Sequence, residues 1–417
     1  MSLEKQVLEN GLKILLLPIA GARSASVGVW IAAGSRFESS AKQGISHFVE
    51  HMLFKGTDTR SARDISEQMD KLGGNLNAYT TKEYTRYYAQ TLSESAVETM
   101  ELLADMLLHS RMEDEAVELE RGVILDEMSM YEDVGEEVAH EQLCGAIWPD
   151  SPLGRPICGT RESVAAITAE ELRRYVRENY TPERMLVVLA GGFDRQALLH
   201  TIRSTLGALP RGAGCPAADS PIFTPSLSLC AKDFEQVSLE LAFPGIPRGD
   251  ERRYALLLFN FIVGGGASSR LFQRLREELG LAYSIYSSNY AAEGAGVFTI
   301  AAATSPDQQE TVLREIHAVL DGLRNGVTEE EFLRARAQVK ASHIMGLETI
   351  EAQASYAGRN ELLLGRDVPS DEVLDALDAL TVEDVNRLAA ELLGGGQAAL
   401  SVVGAVRDRA FYTPYWR

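Results

Sequence analysis

The 417-residue chain carries 60 acidic against 40 basic side chains, a formal net charge of −20, which argues against a nucleic-acid partner because neutralising phosphate takes clustered Lys and Arg. No run approaches the roughly 18 apolar residues of a membrane span, and the N-terminus lacks a basic segment followed by an apolar stretch. With 45% apolar residues the chain buries a large core, and its length suggests two domains of about 200 residues each. A cytoplasmic protein is expected. Its four cysteines, Cys144, Cys158, Cys215 and Cys230, show no Cys-x-x-Cys spacing and read as reduced, mostly buried thiols.

In chain order, residues 27–33 read as an apolar strand and residues 45–54 as a helix. That helix contains His47-Phe48-Val49-Glu50-His51. His47 and His51 stand at i and i+4, so they share one face and can grip one ion. Glu50 is three residues from His47, near enough to hold a water on that ion. Two imidazoles, one further ligand and an open position make a catalytic zinc site, whereas a structural site is closed. The order His-x-x-Glu-His is the inverted counterpart of His-Glu-x-x-His. Residues 75–92, rich in Tyr and Thr, predict a hairpin that breaks near Thr81-Lys82-Glu83. Helices follow at about 93–110 and 114–132. The second is acidic and supplies candidates for the third ligand: Glu120 and Glu127 lie two turns apart on one face.

The chain is also written twice. Ile167-Thr168-Ala169-Glu170-Glu171-Leu172 and Leu380-Thr381-Val382-Glu383-Asp384-Val385 are both capping-box helix starts, 213 residues apart. At the same offset the strand-like 185–192 falls on 398–405. His47, Glu50 and His51 fall on Asn260, Val263 and Gly264, while Phe48-Val49 is echoed by Phe261-Ile262. Residues that keep a fold recur and residues that do chemistry do not, which favours one site per chain. Glu120 and Glu127 fall on Ala335 and Ser342 once Arg121 is set on Arg336. The Pro- and Gly-rich stretch 209–222 reads as a linker between domains 1–208 and 223–417. The fold class is α+β, a sheet-and-helix layer made twice. In the second copy, Gly264-Gly265-Gly266 opens a turn into a helix but lacks the Gly-Lys-Ser/Thr ending of a phosphate loop, so nucleotide binding is rejected. The aromatic C-terminus, residues 410–417, reads as a docked tail.

Taken together, these motifs resemble the pitrilysin/insulinase family of zinc peptidases, and most closely its mitochondrial-processing-peptidase-like bacterial branch, over essentially the whole chain. The resemblance implies one Zn2+ per chain, held by His47, His51 and Glu127. It makes Glu50 the general base and Glu120 a supporting acid behind the ligands. It also implies that Asn77 and Ala78 lie on an edge strand that takes an extended peptide. Gly264, Gly265 and Gly266 would line a substrate loop. Arg276 and Tyr283 would bind the substrate carbonyl across a cavity enclosed by the two domains. The expected activity is that of a metalloendopeptidase acting on peptides or unfolded segments, in a homodimer. A non-catalytic scaffold on the same fold is the alternative, but a scaffold has no need of the His47/Glu50/His51/Glu127 set.

Overall fold

The computed structural model describes residues 3–416. The apolar runs of both copies form sheets. The first sheet contains β1 (Glu4–Val7), β2 (Lys13–Pro18), β3 (Ser24–Ile31), β4 (Asn75–Thr80), β5 (Thr85–Leu92) and β6 (Met185–Gly191), in the order β1-β2-β6-β3-β5-β4. The second contains β7 (Ser226–Ala231), β8 (Val237–Pro244), β9 (Ser284–Ala292), β10 (Ala295–Thr304) and β11 (Ala399–Gly404), in the order β7-β11-β8-β10-β9. Apart from the extra edge strand β1, the topologies are the same: one parallel pair, β2 with β6 and β7 with β11, followed by antiparallel neighbours. The hairpin of β4 and β5 turns at residues 81–84, where the sequence predicts the break, while the strand expected over 27–33 begins at Ser24 and ends at Ile31.

The helices of the first half are α1 (Ile45–Met52), α2 (Ala62–Lys71), α3 (Ala96–His109), α4 (Asp114–Glu132), α5 (Gly135–Ile147), α6 (Arg161–Ala166), α7 (Ala169–Asn179) and α8 (Arg195–Ser204). Those of the second are α9 (Arg253–Val263), α10 (Gln309–Leu323), α11 (Glu329–Met345), α12 (Ile350–Leu364), α13 (Ser370–Ala379), α14 (Val382–Gly394) and α15 (Arg409–Tyr412). The repeat read from sequence is visible in detail. α7 and α14 both open with a full capping box, Thr168 with Glu171 and Thr381 with Asp384. β6 and β11 both close on a glycine with positive φ, Gly191 at 104° and Gly404 at 121°. A side chain there would also strike a backbone carbonyl, of Ser24 and Gln236 respectively.

Packing does not follow the linear division at 1–208, 209–222 and 223–417. One compact unit comprises residues 1–128, 155–217 and 345–368, and the other 129–154, 218–344 and 369–417. In the first unit, α1, α3, α4, α7 and α8 cover one face of the sheet through Val27, Val29, Phe48, Met100, Ile124 and Leu172. The opposite face, with Leu15, Trp30 and Val188, is covered by α12 through Ala354 and Ala357. In the second unit, α5 brings Leu143 and Ile147 against Ala242, Val297 and Ala399. So α5 and α12, counterparts in the repeat, each cover the sheet of the other copy. Stretch 209–222 contains no helix or strand. The tail docks within the second unit: Tyr412 is buried and its hydroxyl donates to Gln309 Oε1 at 2.6 Å. The thiols are less buried than expected. Among the described residues no disulfide is present; Cys144 is buried, Cys158 and Cys230 are half-buried, and Cys215 is exposed.

Candidate metal centre

α1 is short and polar on one side, and its start is fixed by a buried acid. Gly44, at φ 86°, precedes it, and a side chain there would strike the Cys158 carbonyl. The first amides of a helix have no intrahelical partner. Here Glu38 supplies acceptors: Oε2 takes the Gly44 amide at 2.7 Å and Oε1 the Ser46 amide at 2.8 Å. Burial outweighs those bonds and pushes the Glu38 carboxyl up to about 7. The helix is thus pinned one residue before His47.

From that start the i, i+4 spacing brings the imidazoles together. His47 Nε2 and His51 Nε2 lie 3.2 Å apart, and Glu127 Oε2, from α4, lies 3.7 Å from the first and 3.5 Å from the second. Zinc bonds to nitrogen and oxygen of about 2.0–2.2 Å at tetrahedral angles place neighbouring donors roughly 3.4 Å apart. The three observed edges match that spacing. The donor set, two neutral-capable nitrogens and a carboxylate oxygen, suits zinc chemically. Burial, then the neighbouring His51, lowers His47 to about 4, so its lone pair is available at neutral pH. Burial would lower His51 too, but hydrogen bonds to Glu120 and Glu127 outweigh it and raise the ring to about 9. A metal ion entering the trio must therefore displace a proton from His51.

Glu120, one face of α4 with Glu127 as predicted, accepts from His51 Nδ1 at 2.8 Å and from Lys55 Nζ at 2.5 Å. Burial would raise Glu120, but those two donors hold it below its ordinary value. This contact fixes the ring tautomer that presents His51 Nε2 to the trio. His47 is held by packing instead: its Nδ1 is buried without a partner. Glu50, on the same helix, accepts from Thr80 Oγ1 at 2.5 Å, and burial raises its carboxyl above the ordinary value. Sequence reading missed Lys55, Thr80 and Glu38. Lys55 sits four residues past His51 but beyond the end of α1, so it is near in sequence without sharing a helix face. Nothing in the sequence marks the other two, because each reaches the helix from a separate element.

Residues 13–161 match the family model "Insulinase (Peptidase family M16)" and residues 166–339 the model "Peptidase M16 inactive domain". The chain belongs to the insulinase family. Among relatives, the uncharacterized zinc protease YmxG of Bacillus subtilis is 38% identical, covering 94% of this chain and 95% of the relative. An uncharacterized zinc protease of Streptomyces coelicolor is 37% identical, covering 98% and 91%. A crystal structure titled as a protease from Helicobacter pylori superposes with a TM-score of 0.90 at 22% identity, over 97% of this chain and 99% of that one. A Pseudomonas fluorescens structure titled as a peptidase M16 inactive domain gives 0.90 at 21%, over 98% and 99%.

The remaining insulinase-type positions fall as follows. Asn77 and Ala78 are on β4, which pairs with β5 on one side only and forms the edge of its sheet. In the second unit, Arg276 Nη1 donates to the Tyr283 carbonyl at 2.8 Å, and its guanidinium lies 4.7 Å from the Tyr283 ring centre. Tyr283 is 78% exposed, so it is not a core tyrosine. Gly264 and Gly265 have a packing reason of their own: a side chain would strike the Ser287 amide and Phe261 Cα. The helix expected after them is a π-helix over Phe272–Glu278, which carries Arg276.

Proposed function

We propose that this protein is a zinc-dependent endopeptidase with one Zn2+ per chain, held by His47, His51 and Glu127. The observation that carries the reading is the convergence of those three donor atoms beside Glu50, in a trio whose edges suit a tetrahedral ion. A zinc ion there would supply an acidified water and polarise the scissile carbonyl. The rest falls to the chain's own groups. Glu50, made more basic by burial and oriented by Thr80, takes the proton of the attacking water and returns it to the leaving amine. Glu120 holds His51 in the required tautomer. The free edge of β4, at Asn77 and Ala78, takes an extended peptide through main-chain bonds, which favours peptides and unfolded segments over folded proteins. By correspondence with the family, Gly264, Gly265 and Gly266 adjoin the peptide, and Arg276 and Tyr283 bind its carbonyl oxygen. No helix of the described residues is long and apolar enough to cross a membrane.

The test is metal analysis combined with cleavage of a quenched fluorescent peptide, with and without a chelator. Zinc at one equivalent and chelator-sensitive cleavage are expected. Glu50→Gln keeps the side chain's shape but cannot take a proton, so it should retain zinc and lose about 10²–10⁴-fold in rate. A scaffold would show no cleavage in the wild-type protein, and a Glu50→Gln variant as active as wild type would remove the base from this mechanism.

A further inference from the structure

A second cluster of reactive side chains lies in the second unit. Helix α5 carries His140 and Cys144, one turn apart on one face. Cys144 Sγ lies 3.5 Å from His140 Nε2. The other ring nitrogen, Nδ1, is 3.1 Å from Glu240 Oε1 and 3.3 Å from Oε2. Glu240 is 5% exposed and sits in the middle of β8, a position that a carboxylate occupies only with a partner.

The sheet is shaped to admit this contact. Directly across from Glu240 stand Ser401 of β11 and Ala301 of β10, both small, with Tyr286 of β9 beyond Ala301. Opposed residues share a face, so the bulky neighbours are spaced away from Glu240. At the start of α5, Gly135 lies so close to Ser238 that a side chain would meet its hydroxyl. The helix therefore approaches β8 closely, two residues before Glu240, and His140 is set over the carboxylate.

We propose that Cys144, His140 and Glu240 form a nucleophilic-thiol site, a modification site for small hydroperoxides. Sulfur is the nucleophile, and a ring N–H held against it orients the attack and can protonate the oxygen that leaves. His140 is such a donor. Hydrogen bonds to Cys144 and Glu240 outweigh burial and push His140 up to about 11, so both ring nitrogens carry protons at neutral pH. In the reaction Sγ attacks the terminal oxygen of the peroxide. The S–O bond forms and the O–O bond breaks; sulfur is oxidised by two electrons to the sulfenic acid and the peroxide is reduced. The departing hydroxide or alkoxide leaves with a proton that His140 is placed to give and that solvent restores. Cys144 is only 8% exposed, but the His140 side chain beside it is 52% exposed, which gives a small peroxide an approach.

Burial and activation predict opposite orders of reaction, which makes the site testable in the wild-type chain. Cys215 is exposed and serves as the internal reference. The full-length, zinc-loaded protein is treated with limiting hydrogen peroxide in the presence of a dimedone-type sulfenic-acid trap, and adducts are mapped by peptide mass spectrometry. Cys144 should be trapped ahead of Cys215, by about tenfold or more, because a proton donor positioned at the departing oxygen is typically worth at least that. His140→Gln should abolish that lead while leaving Cys215 unchanged, with an unaltered circular-dichroism melt confirming the fold. Trapping of Cys215 ahead of Cys144 in the wild type overturns the proposal. So does an undiminished lead of Cys144 in folded His140→Gln.

Discussion

Helices α1 and α9 occupy the same place in the two copies and end differently. In α1 the last turns present His47, Glu50 and His51, backed by Glu120, Lys55 and Thr80 from α4 and neighbouring segments. In α9 the matching positions are Asn260, Val263 and Gly264. Asn260 accepts a bond from Ser287 Oγ at 2.8 Å, Val263 is fully buried, and Gly264 packs on the Ser287 amide. One frame thus points its polar groups at a common centre, and the other turns the same positions into internal packing. The comparison teaches that the sheet and its capping glycines do not make the site. The donors do, together with the carboxylates that orient them.

The largest effect should come from removing the donors of α1. The double variant His47→Ala/His51→Ala should lose the whole zinc complement and all cleavage, while Asn260→Ala, its partner change in α9, should alter stability and keep the metal. Zinc surviving in the double variant would break the contrast between the helices. Next in size is Tyr283→Phe, which removes a hydroxyl donor from an exposed ring. It should lower kcat on the order of 10²–10³-fold with zinc content and melting temperature unchanged. An unaltered kcat would leave the second copy without a part in the reaction.

Glu120→Gln sharpens the comparison at the level of the supporting groups. The amide can no longer accept charge-assisted bonds from both His51 and Lys55, so zinc affinity should fall about 10–100-fold in competition with a chromophoric chelator. Equal affinity would reduce Glu120 to packing. The smallest effect concerns the start of α1. Because burial raises Glu38 to about 7 from an ordinary 4.5, the folded chain holds a proton there that the unfolded chain has released. Stability from this group is present below about 4.5 and is lost as pH rises through about 7. Glu38→Gln should therefore flatten the fall in melting temperature across that window, and an unchanged slope would show that Glu38 titrates like an exposed acid.

Much of this was legible in the sequence, for stated reasons. Helical spacing placed His47 with His51 and Glu120 with Glu127, and the capping boxes at Thr168 and Thr381 announced the duplication. These are local patterns or exact offsets. What escaped depends on contacts between distant segments. An amphipathic pattern marks the apolar face of α5 or α12 but not which sheet will receive it, so the exchange between copies was invisible. Glu38 reads as one acid among 60 acidic residues until its carboxylate is seen on the Gly44 and Ser46 amides. His140 and Glu240 are 100 residues apart, and no spacing rule joins them.

The crossing of α12 also bears on how the chain is made. Its Glu351 pairs with Arg86 at 2.6 Å, Glu361 takes both Lys5 and Lys13, and Gly358 lies against the Trp30 ring. These partners stand in strands that precede α12 by up to 356 residues of chain. Until α12 is made, Arg86, stacked on Trp30 and Tyr88, lacks its carboxylate partner, and a nascent chain halted before α12 exposes the apolar sheet face that α12 covers. The first unit is thus completed only once α12 has been made, which makes the interval before α12 emerges the time when this protein is most open to aggregation.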